Sequence, residues 1–305
     1  MTTPFVHSPR YEVDIGPHVF PVVKYRHVRE SLIHAALAAD DDFAEPSMPS
    51  REDLLRVHTY AYLDDLEDLR PTHRTLYSEL PITRAIIDAF TLAAGGSILA
   101  ARHALASGAC LHLGGGLHHA FADHAEGFCY VNDVAVAIRA LQAEGAIERA
   151  AVIDLDVHQG NGTAHIFSED PTVFTYSVHQ EHNYPLKQRS DRDVGLENGV
   201  DDVEYLAILD RDVPQILDTH RPRLVFYLAG ADPYCEDQLG GLSLTRAGLR
   251  ERDRRVIAWC RERGIPIAGA LAGGYARFVT DTIAIHRATA EEFLRALGRA
   301  PAARS

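Results

Sequence analysis

The chain has 305 residues, 46% of them hydrophobic, and a formal net charge of -13. Its size and apolar content, without a long polar or proline-rich interruption, predict one large α/β domain over 1–305. The acidic balance, with no run of Lys and Arg, excludes nucleic-acid binding as the main task, because neutralising phosphates needs clustered cations.

A cationic substrate is compatible with that charge. The cysteines Cys110, Cys129, Cys235 and Cys260 lie far apart and form no CxxC pair, which argues against a disulfide framework or zinc ribbon and fits a reducing compartment. The first residues lack a basic segment followed by an apolar run, and no stretch of about 18 uninterrupted apolar residues occurs. A soluble, cytoplasmic protein without a membrane span is therefore expected.

In chain order, helical spacing predicts a helix over 24–39. The acidic stretch 40–45, followed by Pro46 and Pro49, reads as a loop. A second helix over 82–106 is opened by Pro81 and broken up by Gly95 and Gly96. Short apolar runs then predict strands over 109–113, 150–156, 172–178, 223–228 and 266–271. Between them fit helices over 132–144, stopped by Gly145, and from the capping Thr245 to Arg263, stopped by Gly264 with Pro266 beyond. This alternation predicts a mostly parallel central sheet flanked by helices. No internal repeat is present, and the tail from Arg299 is expected to fray.

The chemistry gathers at the ends of the predicted strands. In 149–162, RAAVIDLDVHQGNG, the core residues Ala151, Val152 and Ile153 lead to Asp154, Asp156 and His158 at alternate positions, which strand geometry would project to one side. Burying such charge calls for a compensating cation, and carboxylate with imidazole suits a divalent metal. A structural alternative is a buried Asp and His bonded to backbone amides.

Three other strand ends add polar residues. LHLGGGLHHA, 111–120, places a glycine turn before His118 and His119, a pair that alone would more often be surface or core histidines. LVFYLAGADPY, 224–234, delivers Asp232, which alone could be a cap or turn residue. ALAGGYAR, 270–277, sets Gly273 and Gly274 before Tyr275. In open parallel sheets, ligands bind beyond the carboxyl ends of strands, so these ends can converge in one crevice.

Together these segments resemble the histone deacetylase superfamily, which also contains acetylpolyamine amidohydrolases and acetoin-utilisation proteins. The resemblance runs from Tyr11 to Ile285 through HVFPVVKYR, GGGLHHA, EGFCYVNDVAVAI, DLDVHQGNGT, AGADPY, LGGLSLT and GGY. HQGNG and LGGLSLT look most like the class IV branch and its bacterial relatives. The resemblance implies the arginase/deacetylase fold and a zinc ion held by Asp156, His158 and Asp232, although iron(II) or another divalent ion suits the same donors.

It further implies that His118 and His119 supply general-base and general-acid capacity, with His119 the proton shuttle and His118 chiefly electrostatic. Tyr275 would donate to the oxyanion, and Asp154 would orient His118. Asn161 stands facing His119 where class I members carry Asp, and a neutral amide stabilises an imidazolium less. A potassium ion would lie beside Asp154 and backbone carbonyls near Asp156, His158, Ser177 and Val178. Gly127 and Phe128 match one wall of an acyl-lysine channel. HNYPLKQRSD, 182–191, departs from the family's usual loop, leaving Tyr184 as the candidate for the opposite wall.

The function implied is removal of acyl groups from lysine side chains, polyamines or related amines by metal-activated water. Two rivals remain. An arginase-like enzyme would use a second metal, but Gly160, where an aspartate would help build that site, has no ligating side chain. A binding or scaffold protein would keep the fold without turnover, yet every ligand position, both histidines and Tyr275 are present.

Overall fold

The computed structural model describes residues 3–299. Its centre is an eight-stranded sheet, β1 (Phe5–Val6), β2 (Phe43–Ala44), β3 (Ala109–His112), β4 (Ala150–Asp154), β5 (Val173–Gln180), β6 (Arg192–Leu196), β7 (Leu224–Leu228) and β8 (Ile267–Ala270). The spatial order is β2-β1-β3-β8-β7-β4-β5-β6, and every pairing is parallel. Parallel sheets covered on both faces need strands apolar on both sides. β3, β4, β7 and β8 are accordingly buried at every residue.

The helices among the described residues are α1 (Lys24–His34), α2 (Arg51–Leu55), α3 (Tyr60–Glu67), α4 (Arg84–Ser107), α5 (Asp133–Ala143), α6 (Asn161–Phe167), α7 (Asp202–His220), α8 (Arg246–Glu262) and α9 (Val279–Ala296). Their starts follow capping chemistry. Asn132 accepts from the Ala135 amide at the head of α5, and Thr245 accepts from the Gly248 amide at the head of α8.

Several expectations need correction. The first helix stops at His34, and Ala36 just beyond adopts a left-handed φ of 54°. The acidic stretch contains a short 3-10 turn, Asp40–Asp42, followed by β2, which docks as an edge strand. Gly95 and Gly96 do not interrupt α4; they let it approach its neighbours. A Cβ on Gly95 would lie 2.0 Å from Ser47 O, and one on Gly96 would lie 2.3 Å from His112 Nε2.

α4 is also the one described helix long and apolar enough to cross a membrane, and 72% of the qualifying window is buried inside the fold. Its contacts with β3, β8 and α5 account for that composition. At the far end, α9 stops at Ala296, and Arg299 is held by both oxygens of Asp42. The frayed tail expected from Arg299 thus does not begin there, and residues 300–305 lie outside the described residues.

Candidate active site

The four chemistry-bearing strand ends belong to β3, β8, β7 and β4, which are consecutive in the sheet. Their loops open on one edge of the sheet and meet. One detail differs from the alternation expected for 150–156: β4 ends at Asp154, and Asp156 and His158 lie on the bends that follow. Local hydrogen bonds hold that bend. Asp154 Oδ1 accepts the Asp156 amide at 3.2 Å, and Asp156 Oδ1 accepts the His158 amide at 3.0 Å.

Asp156, His158 and Asp232 are buried and offer donor atoms within 4.8 Å of one another. His158 Nδ1 lies 3.2 Å from Asp156 Oδ1 and 3.3 Å from Asp232 Oδ2. Asp232 Oδ1 accepts the Val157 amide at 2.9 Å, and Asp156 Oδ2 accepts the Gly273 amide at 2.7 Å. Asp232 Oδ2, by contrast, is buried with no aligned hydrogen-bond donor. Native proteins rarely leave such an atom unmatched.

A divalent cation fits this arrangement, because it would satisfy the orphaned oxygen and offset the charge of two buried carboxylates. Burial and the neighbouring Asp156 charge push the Asp232 carboxyl up from its ordinary range. Burial would depress the His158 imidazole, but the Asp156 and Asp232 carboxylates outweigh it and raise the group to about 10. The pull that binds this proton is one a divalent ion can answer. Close packing leaves no room for side chains around the three: a Cβ on Gly273 would lie 2.0 Å from Asp232 Oδ2, and one on Gly230 would lie 2.6 Å from Asp156 Oδ2.

Beside this cluster, the rings of His118 and His119 lie 4.1 Å apart, yet their environments differ. His118 Nδ1 is 2.7 Å from Asp154 Oδ2. Burial opposes its protonation, but Asp154 and Asp156 outweigh burial and raise it to about 9. His119 Nδ1 is 2.8 Å from Asn161 Oδ1. Burial and the charges of His118 and His158 hold its pKa well below the ordinary imidazole value. The carboxylates thus favour the protonated form of His118, while burial favours the neutral form of His119.

The glycine turn that carries this pair is pinned from below. Asp133, at the start of α5, accepts the Gly116 and Leu117 amides at 3.1 and 2.7 Å and also bonds Ser97. Ser97 reaches His112, whose other ring nitrogen is 2.8 Å from Tyr11 OH. The loop after β8 is fixed by Lys24, fully buried, which donates to Ala272 O at 2.6 Å. Asp237 accepts the Tyr275 amide at 2.7 Å.

A channel of about 260 Å³ leads to the cluster, lined by His119, Gly127, Phe128, His158, Tyr184 and Tyr275 among others. Tyr184 and Phe128 therefore wall the same channel, and the Tyr275 ring lies 6.3 Å from the His158 ring. Asn161 is the first residue of α6, which aims it at His119. Asp154 and Ser177 are register partners across β4 and β5, with Val178 next along the strand.

Sequence reasoning missed Glu126, Asp133, Asp237 and Lys24. Glu126 and Asp133 lie in the EGFCYVND segment and Lys24 in HVFPVVKYR, so motif membership could have flagged them; nothing local marks Asp237.

This is a parallel α/β protein with a buried carboxylate–imidazole cluster and a histidine pair at the floor of a narrow channel. The histone deacetylase domain family matches residues 18–290. An uncharacterized protein of Picosynechococcus sp. is 40% identical over 94% of this chain and 96% of its own. Histone deacetylase 2 of Arabidopsis thaliana is 31% identical over 87% of this chain and 73% of its own. A probable deacetylase of Methanothermobacter thermautotrophicus is 30% identical over 88% and 85%.

Among solved structures, an HDAC homolog complexed with SAHA superposes with a TM-score of 0.81 at 22% identity, covering 98% of this chain and 84% of that one. The HDA15 HD domain gives 0.79 at 24% identity, covering 97% and 94%. These two establish likeness of fold. The chain belongs to the histone deacetylase family.

Proposed function

We propose that the chain is a zinc-dependent amidohydrolase that removes acyl groups from acyl-lysine or a related acylated amine. The observation that carries this reading is the orphaned Asp232 Oδ2, set with Asp156 and His158 at the floor of a channel that also exposes the neutral His119. Asp156, His158 and Asp232 would hold the metal, which when bound polarises an acyl carbonyl and acidifies water.

The remaining work falls to the chain's own groups. Asn161 accepts from His119 Nδ1, which leaves Nε2 as the unprotonated, basic nitrogen. His119 can therefore take a proton from water at Nε2 and pass it to the departing amine. His118, held cationic by Asp154, supplies fixed positive charge beside the reacting centre. The Tyr275 hydroxyl would donate to the developing oxyanion. Phe128 and Tyr184 would flank the alkyl stem of the substrate, a fit supported by the binding of SAHA to a protein of the same fold.

Potassium is proposed beside Asp154, Asp156, His158, Ser177 and Val178, supported by the Asp154 and Ser177 pairing. The HQGNG and LGGLSLT segments support a class IV-like assignment, and the unpaired cysteines support a cytoplasmic location. The test is to supply the purified chain with one equivalent of zinc and screen short- and long-chain acyl-lysine peptides beside acylpolyamines. Zinc-dependent release of free amine from at least one is expected; none at all overturns the proposal.

A further inference from the structure

We propose that Glu126 is a positioning residue for His119, acting through the side chain of Asn161, and that the same carboxylate holds the channel wall residue Tyr184. The inference rests on the deacylase reading for its catalytic consequence and on hydrogen-bond geometry for its substance.

Asn161 is an ambiguous partner for a histidine. Its amide has an accepting end and a donating end of nearly equal shape, and either can face an imidazole nitrogen. If the donating end faced Nδ1, the ring proton would sit on Nε2, and the nitrogen exposed to the channel would cease to be a base. An aspartate at this position would carry no such ambiguity, because an ionised carboxylate only accepts.

Glu126 removes the ambiguity. Asn161 Nδ2 donates to Glu126 Oε1 at 2.7 Å, which turns Asn161 Oδ1 toward His119 Nδ1 at 2.8 Å. An ionised carboxylate cannot donate, so the reversed amide would place two acceptors against each other. Burial works against ionisation of Glu126, but the His124 imidazole 3.7 Å away and the hydrogen bonds from Asn161 and Tyr184 outweigh it and lower its pKa. A charge absent from position 161 is thus supplied one hydrogen bond further out, and it polarises the amide toward the ring.

The same Oε1 accepts the Tyr184 hydroxyl at 3.0 Å, and the Tyr184 ring packs edge-on against His119 with centroids 5.3 Å apart. The loop brings Glu126 this close because the next residue has no side chain. Gly127 has a φ of +49°, and a Cβ there would lie 2.6 Å from Tyr184 OH and 2.7 Å from His119 Cδ2. Backbone bonds from Gly127 N to Tyr77 O and from Phe128 N to Ser78 O fix the loop.

The experiment combines kinetics with a readout that needs no turnover. Glu126→Ala should lower kcat by roughly 10- to 100-fold at unchanged zinc content, as for other groups that orient a reacting imidazole. Glu126→Gln, which keeps the shape, should lose less. Tyr184→Phe should act mainly on KM. In an Asn161→Ala background, Glu126→Ala should cost nothing more in kcat, because its route to His119 is already cut.

Nitrogen-15 NMR of the histidine rings in the metal-free chain should report protonated Nδ1 for His119 in the parent and a mixture of tautomers in Glu126→Ala. A kcat within twofold of the parent, or an equal loss in the Asn161→Ala background, overturns the inference, as does an unchanged tautomer. If the parent cleaves neither an acyl-lysine peptide nor an acylpolyamine, the deacylase reading fails instead, and the tautomer alone decides the role of Glu126.

Discussion

Gly273 donates its backbone N–H to Asp156 Oδ2 at 2.7 Å, joining the loop after β8 to the loop after β4. The contact requires glycine, since a Cβ would stand 2.0 Å from Asp232 Oδ2 and 2.6 Å from Asp156 Oδ2. Gly273→Ala should therefore displace both carboxylates while leaving their chemistry intact. Zinc affinity measured by competition with a chelator should fall about 10- to 100-fold, the range for lost support of metal ligands. Unchanged affinity would mean that the loop yields without moving either aspartate.

Asp232 and Tyr275 arrive from neighbouring strand ends but should fail in different ways. On the proposed reading Asp232→Ala removes one of three metal donors and should release metal, measurable as zinc per chain after dialysis. Tyr275→Phe removes only a hydroxyl donor, so zinc should remain while kcat falls on the order of 10²- to 10³-fold, as for other oxyanion donors. Equal zinc content in the two variants would contradict this division of roles.

The four strand ends were legible because buried parallel strands read as apolar runs, and polar residues beyond them stand out. Their adjacency in the order β3, β8, β7, β4 was not, because parallel pairing leaves no local trace of which strand lies next to which. The edge strand β6 escaped notice for a related reason: its exposure alternates around Arg192 and Asp193, so it carries no apolar run. Gly95 and Gly96 misled because their purpose is contact with Ser47 and His112, residues distant in sequence. Asp156 and His158 stood out by residue type, and they do lie together in the buried cluster, although a bend beyond β4 brings them together rather than strand alternation. Glu126 was hidden because its partner Asn161 is 35 residues away.

Gly96 offers a test of that helix contact in which two effects compete. Alanine in place of a mid-helix glycine ordinarily stabilises by about 1 kcal/mol. Here its Cβ would lie 2.3 Å from His112 Nε2 and 2.4 Å from Tyr11 OH, within the network that reaches Asp133. Overpacking of this kind costs roughly 1–3 kcal/mol, so the clash should win. Gly96→Ala is expected to lower the midpoint of urea unfolding, and a raised midpoint would show that α4 can move away from His112.

His58 provides a test of stability against pH. Its Nε2 accepts the Asn132 amide at 3.2 Å, just ahead of α5, and burial lowers its pKa from 6.5 to about 4. Above pH 6.5 the ring is neutral in both folded and unfolded chains and adds no slope. As pH falls from 6.5 toward 4, the unfolded chain takes up a proton that the folded one refuses, so stability declines with acidification. At 1.36 kcal/mol per pH unit the loss attributable to this ring approaches about 3 kcal/mol. His7 and His112, lowered to about 4 and about 3 chiefly by burial, act in the same direction. His118, raised to about 9, is protonated in both states below pH 6.5 and adds no slope there. Glutamine at position 58 can still accept from Asn132 but does not titrate. The stability difference between the parent and His58→Gln, taken from urea unfolding at pH 7, 6 and 5, should shift steadily against the parent as pH falls. A difference that stays constant across those three values would show that His58 becomes protonated without unfolding.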